Sequence, residues 1–152
     1  MSVERPYPLE ILARRRWMGL VARSRPERLR ALLPDLPDHD LLRAPEIGAV
    51  MVQGRAGGTG TPFNLGEMTV TRCSVRLGSG EVGHAHVQGR DRDHARRAAI
   101  LDALMQTDAA QGLERRVLDP LAEDEAARRA ARAARVAATR VEFFTLVRGE
   151  DQ

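Results

Sequence analysis

The sequence predicts an α+β domain in which helices flank an antiparallel sheet. Apolar residues recur at helical spacing in residues 9–24 and again after residue 92, whereas between residues 46 and 88 they alternate with period two. We expect N-terminal helices, a meander of three or four antiparallel strands, and C-terminal helices ending in a long Ala/Arg-rich helix. The 152 residues are expected to form a single domain, with residues 1–13 as a poorly ordered tail.

The first 40 residues predict two helices and a break. Trp17, Leu20 and Val21 share one face of a helix over residues 9–24. Pro26 suits the first turn of a second, short helix that turns Leu29 inward. Two prolines and three aspartates in residues 34–40 then end the helical region.

The middle of the chain predicts strands joined by glycine-rich turns. Residues 47–52 are apolar on both faces, and residues 68–77 alternate strictly and are rich in β-branched side chains. The tripeptide GSG at residues 78–80 predicts a tight turn into a strand over residues 81–89. A fourth strand is expected around residues 41–46.

The last third of the chain predicts helices again. Asp91 or Asp93 is expected to cap a helix over residues 93–106, and a short helix after it is expected to end or kink at Pro120. The final helix, over residues 123–147, would be about 37 Å long at ~1.5 Å per residue. Its many alanines allow a close helix neighbour, so we expect part of it to pack on a second polypeptide.

Charge and cysteine content limit the functional classes. All 24 basic residues are arginine and the formal net charge is only +3, with the basic excess confined to residues 1–33. A solvated helix face is therefore favoured over a nucleic-acid-binding stripe. The single cysteine, Cys73, excludes an internal disulfide and fits a reducing compartment, and no apolar stretch approaches a membrane span. We expect a cytoplasmic protein with neither a nucleic-acid nor a membrane partner.

The stretch RAGGTGTPFNLGE, residues 55–67, is the first candidate site. Consecutive glycines can present backbone N–H groups to an anion, and a long loop between paired strands is often functional. A P-loop is excluded because the chain has no lysine, and a dinucleotide fingerprint is excluded because a strand follows the glycines. A mobile loop of accidental length is an equally good interpretation, and whether the loop contacts substrate phosphates or a protein partner stays open. The residues of this candidate are Arg55, Gly57, Gly58, Thr59, Gly60 and Glu67.

Two other groups of residues carry weaker candidates. Arg90, Asp91 and His94 lie at a predicted helix N-terminus, where a ring N–H could bind an anion, although an unliganded first-turn histidine is the favoured interpretation. His84 and His86 share one face of a strand, but no third ligand lies at a suggestive spacing, so no metal site is expected. We assign no catalytic residues, because the chain offers neither a nucleophile–base arrangement nor paired carboxylates.

Several segments together resemble the PhnG family, the small subunit of the bacterial carbon–phosphorus lyase system. They are RRRWMGLVARS (residues 14–24), the glycine loop with its following strand (55–77), GRDRDHARRAAILDALMQ (89–106) and TRVEFFTLVRGE (139–150). The resemblance runs from about residue 14 to residue 150. The segment VGHAH departs from the family pattern, which has an aromatic residue in that strand, and this weakens any metal role for its histidines.

The resemblance implies a subunit of a cytoplasmic hetero-oligomer that contains two copies of this chain. With its partners it would help transfer the ribose triphosphate of ATP to an alkylphosphonate, with release of adenine. MgATP would be the substrate of the complex, with no cofactor on this chain alone, and a nucleosidase-like partner would carry most of the chemistry. A radical S-adenosylmethionine subunit is the other implied partner. The alternatives are a purely structural assembly subunit and an Arg-rich nucleic-acid-binding module.

Overall fold

The structure is a computed structural model that describes residues 8–148, with the side chains of residues 8–139. It has the predicted α+β architecture. In chain order the elements are α1 (Leu9–Arg23), α2 (Pro26–Leu32), β1 (His39–Arg55), β2 (Pro62–Leu77), β3 (Val82–Gln88), α3 (Arg92–Leu104), α4 (Ala110–Leu113) and α5 (Asp119–Arg148). A 3-10 turn, Ala56–Gly58, joins β1 to β2, and a π-helical segment, Glu114–Leu118, joins α4 to α5.

The sheet is an antiparallel meander in the order β1-β2-β3. The expected fourth strand around residues 41–46 does not exist as a separate element within residues 8–148, because these residues form the first part of β1. The ladder with β2 is irregular between Leu41 and Arg43 and again between Arg43 and Glu46. Pro45 lies inside that stretch and has no N–H to donate, so it interrupts the ladder without ending the strand.

The hairpin between β1 and β2 is longer than expected and its loop is shorter. Its ladder reaches the pair Arg55–Pro62, so the loop comprises residues 56–61 only and residues 62–67 belong to β2. A register shift after Val52 absorbs an extra residue, and Leu65 lies over Gly54, where an added Cβ would be 2.7 Å from the Leu65 Cδ1 atom. The glycine therefore allows pairing to continue past this bulge.

The core lies between α3 and one face of the sheet. Alternate residues of β2 are buried on this face, namely Cys73, Val75 and Leu77. Gly83 of β3 allows the closest approach, since an added Cβ would be 1.9 Å from the carbonyl oxygen of Ala99. Helices α1 and α2 and the π-helical segment close the other side of α3 with Leu20, Val21, Leu29, Leu33, Val117 and Leu118.

Both ends of the chain differ in detail from expectation. Residues 9–13 were expected both in the tail over residues 1–13 and in the helix over residues 9–24; they form the beginning of α1, and residues 1–7 lie outside the described residues. Pro120 lies in the first turn of α5, directly after the π-helical segment, and it does not end the helical run, since the Asp119 N–H before it still donates to the Glu114 carbonyl oxygen. The predicted long C-terminal helix is confirmed as α5. Among the described residues, no helix combines the length and apolarity needed to cross a membrane.

Candidate functional site

The distal part of the β1–β2 hairpin projects beyond the rest of the sheet. Strand β3 pairs with β2 only as far as Gln88 opposite Val70, and Val70 in turn lies opposite Gly48 of β1. Residues 49–69 are therefore a two-stranded ribbon closed by the glycine loop, and we call them the arm. At ~3.3 Å per residue, the arm is roughly 20 Å long.

One face of the arm is apolar. Strand alternation and register place Val50, Val52, Phe63 and Met68 on it together. Phe63 is 46% exposed and Leu65, in the adjoining bulge, is 62% exposed. Met51 is 53% exposed but lies on the opposite face, because it pairs with Glu67 and is one residue out of phase with Val50 and Val52. The arm therefore offers a partner one continuous apolar face and one mixed face.

The glycine loop at the tip of the arm is closed on itself. Its glycines are needed for the turn, since Gly57 and Gly58 have φ of 62° and 80°. The backbone N–H groups of Thr59 and Gly60 both donate to the carbonyl oxygen of Ala56, the latter at 2.8 Å. The Arg55 guanidinium donates to the Gly60 carbonyl oxygen at 3.2 Å. The loop itself therefore uses two backbone N–H groups of the predicted anion site. It also uses one donor of Arg55, the cation that was expected to face the anion.

Glu67 lies apart from this loop. It pairs with Met51, four residues before Arg55 on β1, so about 13 Å of strand separates Glu67 from the tip. Both Glu67 and Arg55 are exposed, and both lie on the mixed face, opposite Phe63. A contact by Arg55 and one by Glu67 would therefore be made at different places on a partner.

The second predicted cluster divides between surface and core. Asp91 is the N-cap of α3, as predicted, and its carboxylate accepts from the backbone N–H of His94 at 2.8 Å. His94 is only 3% exposed, and its Nε2 lies 3.0 Å from the Val21 carbonyl oxygen and 3.3 Å from the Ser24 hydroxyl. Its burial lowers the pKa of His94, so the neutral ring donates from Nε2 to Val21. This places His94 in the core, where it fixes α3 to the end of α1, and leaves Arg90 at the surface.

The two predicted clusters lie far apart in this chain. The backbone N–H of Gly89, next to Arg90, donates to the Thr69 carbonyl oxygen at 2.9 Å, which places the start of α3 at the base of the arm. On β1 their pairing partners, Ala49 and Arg55, are six residues apart, so about 20 Å separates Thr69 from Pro62 at the tip. A small ligand therefore cannot contact both clusters of one copy.

His84 and His86 lie on the sheet face that α3 leaves uncovered. His84 pairs with Ser74, whose hydroxyl is 2.8 Å from the His84 Nδ1 atom, and His86 pairs with Arg72. Within the part of the chain that the structure describes, no three His, Cys, Asp or Glu side chains are grouped so that they could hold a metal ion. The histidine pair thus has a hydroxyl and a guanidinium as neighbours, which does not favour a metal site.

Asp102, a buried carboxylate that is not among the predicted site residues, connects α3 to α1 and β3. Asp102 of α3 is 1% exposed and accepts from Trp17 Nε1 at 2.8 Å and from Arg14 Nε and Nη2 at 3.1 and 2.7 Å. It also accepts from the backbone N–H of His84 at 2.9 Å, on the outer edge of β3. The hydrogen bond to Asp102 raises the pKa of Arg14. The sequence signal was one acid inside the apolar run AAILDALM, on the buried side of a helix.

Most of the basic stretch in α1 and α2 is committed to ion pairs within the chain. Besides Arg14, Arg16 pairs with Glu114 of the π-helical segment. Arg23 pairs with Glu125 at 3.0 Å and Arg28 with Asp124 at 2.8 Å, both in α5. The last two pairs attach the N-terminal helices to α5. These arginines, which the sequence analysis expected on a solvated helix face, therefore have a structural role.

Two comparisons with known proteins identify relatives of this chain. The family model described as phosphonate metabolism protein PhnG matches residues 12–149 of this chain. The alpha-D-ribose 1-methylphosphonate 5-triphosphate synthase subunit PhnG of Rhizobium meliloti (strain 1021) is 47% identical over 148 residues, covering 93% of this chain and 92% of that protein. The family match includes the arm, α3 and α5.

Proposed function

This chain belongs to the PhnG family of phosphonate metabolism proteins, and on that premise we propose that it is a non-autonomous subunit of an alpha-D-ribose 1-methylphosphonate 5-triphosphate synthase. In this proposal the chain works with a nucleosidase-like subunit that binds MgATP, displaces adenine and joins the ribose triphosphate to an alkylphosphonate. A radical S-adenosylmethionine subunit belongs to the same assembly, which holds two copies of this chain. The arm is the surface that docks on a partner.

The observation that supports docking is the exposed apolar face of the arm. A two-stranded ribbon is marginally stable in water by itself, and a third strand or an apolar cover is usually needed. Here β3 ends at the base of the arm, while Phe63 and Leu65 remain about half or more exposed. Covering large apolar side chains contributes roughly 25 cal/mol for each Å² removed from water, so a partner surface would stabilise both the ribbon and the complex.

Helix α5 offers a second surface of the same kind. From residue 129 to residue 139 its side chains are exposed on every side. One side of the helix carries small residues, which allow another helix to approach closely: Ala126, Ala130, Ala133 and Ala137. This agrees with the expectation that part of the long helix packs on a second polypeptide.

We expect the tip of the arm to contact a partner protein rather than to bind phosphate groups. Its Thr59 and Gly60 N–H groups are satisfied within the loop, which leaves Gly57 and Gly58 as the glycines able to present their N–H groups. We therefore assign Arg55, Gly57, Gly58, Thr59 and Gly60 to the interface with the subunit that binds MgATP. Glu67 and the surface pair Arg90 and Asp91 would meet that subunit nearer the base of the arm.

Co-purification tests the docking face. The double variant Phe63→Ser/Leu65→Ser should fold normally and fail to co-purify with the other subunits, so that adenine release from ATP and an alkylphosphonate is lost. Met51→Ser is the matched control, because Met51 is similarly exposed but lies on the other face of the same ribbon. Normal assembly of the double variant, or equal loss with Met51→Ser, would show that the apolar face is not the docking surface.

The double variant Arg55→Ala/Thr59→Ala separates the remaining possibilities at the tip. An assembled complex that has lost adenine release would place the tip at the substrate and contradict a purely structural subunit. Weakened assembly would place it at the interface, as proposed here.

A further inference from the structure

The outer edge of β1 carries main-chain hydrogen-bonding groups that docking through the apolar face of the arm does not use. The Thr69 carbonyl oxygen accepts from the Gly89 N–H, so Thr69 and every second residue of β2 on either side of it direct their main-chain groups toward β3. The residues of β1 that pair with them therefore direct theirs away from β2: Ile47, Ala49 and Met51. Within residues 8–148 these six N–H and C=O groups have no hydrogen-bond partner.

The stretch with open groups is bounded on both sides. The register of β1 with β2 is continuous from Glu46 to Val52, and it shifts immediately before and immediately after this segment. Pro45, which precedes the segment, has no N–H to donate, so a strand added on the outer side loses a hydrogen bond there. The regular segment spans seven residues, and Ala49 is its midpoint.

The regular segment is complementary to a second copy of itself. When two such segments run antiparallel about a two-fold axis beside Ala49, Ala49 lies opposite Ala49 of the second copy and Ile47 lies opposite Met51. These residues all direct their main-chain groups outward, so each opposing pair exchanges two hydrogen bonds. All six open groups of each copy are then satisfied.

Charge does not oppose this pairing. Residues 47–54 carry no charge, and Glu46, the one charged residue of the segment, would lie opposite Val52 of the second copy. The two Glu46 residues would be six positions apart along the joined strands, or about 20 Å, which is well beyond the Debye length of ~8 Å at physiological ionic strength. An unrelated strand would have to match a short, uncharged segment bounded by a proline and a bulge, whereas a second copy matches it by symmetry.

We propose that two copies of this chain join through their β1 edges into one six-stranded antiparallel sheet, with Ala49 beside the two-fold axis. The proposed function contributes only the copy number, and the contact itself rests on the register and charge of β1. Isologous pairing of this kind also covers an edge that charges do not protect.

The remainder of the fold leaves room for the joined sheet. Helix α3 packs mainly over β2 and β3, so the two α3 helices would lie about four strand spacings, or ~19 Å, apart, whereas packed helices are ~8–10 Å apart. Ala49 is at the base of the arm, so the two arms would extend in opposite directions from the axis. Their apolar faces would stay free to dock on other subunits.

Cysteine cross-linking tests the position of the axis. Ala49→Cys should give a disulfide-linked dimer on mild oxidation, because the Cα atoms of a hydrogen-bonded antiparallel pair are ~5.5 Å apart, within disulfide range. Met51→Cys is the matched control: Met51 is 53% exposed on the same edge, but the two copies of residue 51 would be about 13 Å apart along the strands. It should give at most about a tenth as much dimer. The native chain supplies the background, since its Cys73 is buried.

Removal of one N–H tests the hydrogen bonds. Ala49→Pro leaves the ladder with β2 intact, because β2 does not use the Ala49 N–H, but a symmetric dimer loses two hydrogen bonds. Sedimentation equilibrium of the free native chain should give about twice the chain mass of 16.8 kDa, and Ala49→Pro should raise the dissociation constant about tenfold or more. Ala49→Ser keeps the N–H and should leave the constant within about twofold of the native value.

The cross-linking is run both on the free chain and on the assembly that co-purifies with it. An Ala49→Cys dimer in either sample supports the proposal, and its absence from both overturns it. Equal yields from Ala49→Cys and Met51→Cys, or a native dimer that Ala49→Pro does not weaken, also overturn it, because they place the contact elsewhere. A cross-link to a different subunit overturns it by assigning the edge to a strand of that subunit. If no assembly co-purifies, the proposed function fails, and the free chain still decides this inference.

Discussion

Replacing the Asp102 carboxylate should be the most destabilising conservative change in this chain. In Asp102→Asn the side chain keeps its size, but only one of its two oxygens remains. In the native protein Oδ1 accepts from Trp17 and from the Arg14 Nε, while Oδ2 accepts from the Arg14 Nη2 and the His84 N–H. Whichever way the amide is turned, two of these four donors lose their acceptor and face an NH₂ group.

The expected cost follows from those two donors. An unsatisfied buried donor costs about 1–3 kcal/mol, and breaking a buried ion pair costs about 3–5 kcal/mol. The Arg14 side chain is 36% exposed and can regain water, which favours the lower end of that range. We therefore expect Asp102→Asn to lower the free energy of unfolding by about 3 kcal/mol, or the midpoint temperature by roughly 6–12 °C for a domain of this size.

Urea denaturation followed by far-ultraviolet circular dichroism measures this directly, with the midpoint expected to fall and the slope to stay constant. Arg28→Gln is the control, because the Arg28–Asp124 pair has a similar 2.8 Å contact but lies at the surface, where pairs contribute about 1 kcal/mol or less. A cost below about 1 kcal/mol for Asp102→Asn, or one no larger than that of Arg28→Gln, would refute the reasoning. The double variant with Arg14→Gln should be non-additive, because the two side chains share hydrogen bonds.

Two further predictions concern the packing of α3. Gly83→Ala should destabilise the fold by about 3 kcal/mol or more in the same urea assay, because its Cβ would meet the Ala99 carbonyl oxygen at 1.9 Å. Gly78→Ala, which adds a methyl group in open space, should change the stability by about 0.5 kcal/mol or less, and equal effects of the two variants would contradict the close approach. Stability should also fall as the pH drops below about 6.5, because burial lowers the pKa of His94 more than the hydrogen bond to Val21 and the nearby carboxylates raise it. The unfolded chain therefore binds the proton more strongly than the folded chain. His94→Gln, whose amide N–H can still donate to Val21, should remove the part of that slope that begins below about pH 6.5. A slope of the same size in the variant would assign the effect to other groups.

Local patterns in the sequence were sufficient for the fold but not for the contacts that organise it. The change of period from 3.6 to two, the helix cap at Asp91 or Asp93 and the GSG turn are each decided by a few neighbouring residues. The structure confirms the change of period and the turn, and of the two candidate caps it has Asp91. The Asp102 cluster is different, because Arg14 lies 88 positions away and meets Asp102 only after α1, α3 and β3 have packed. No short-range pattern in the sequence predicts that contact.

The glycine loop shows how register decides what a motif can do. The sequence alone predicts a long loop over residues 55–67, because nothing local shows that residues 62–67 pair as a strand. Once β2 pairs back to Pro62, the remaining residues must turn tightly, and the Thr59 and Gly60 N–H groups meet the Ala56 carbonyl oxygen. These two N–H groups are therefore not available to bind a phosphate. This follows from the pairing of β1 with β2, which the sequence of the loop does not predict.

The open edge of the sheet places a further constraint on how this chain assembles. Strand β3 has its outer edge engaged by Asp102 and by Gln106, which donates to the Val82 carbonyl oxygen at 2.8 Å, whereas β1 is an edge strand with no partner beyond it among residues 8–148. Residues 47–54 of β1 carry no charge, and charges are what usually protect an edge from pairing with other strands. This unprotected stretch runs into the arm and borders its apolar face. A partner that covers the arm would therefore also shield the edge, and in the chain without that partner β1 is the expected site of aggregation.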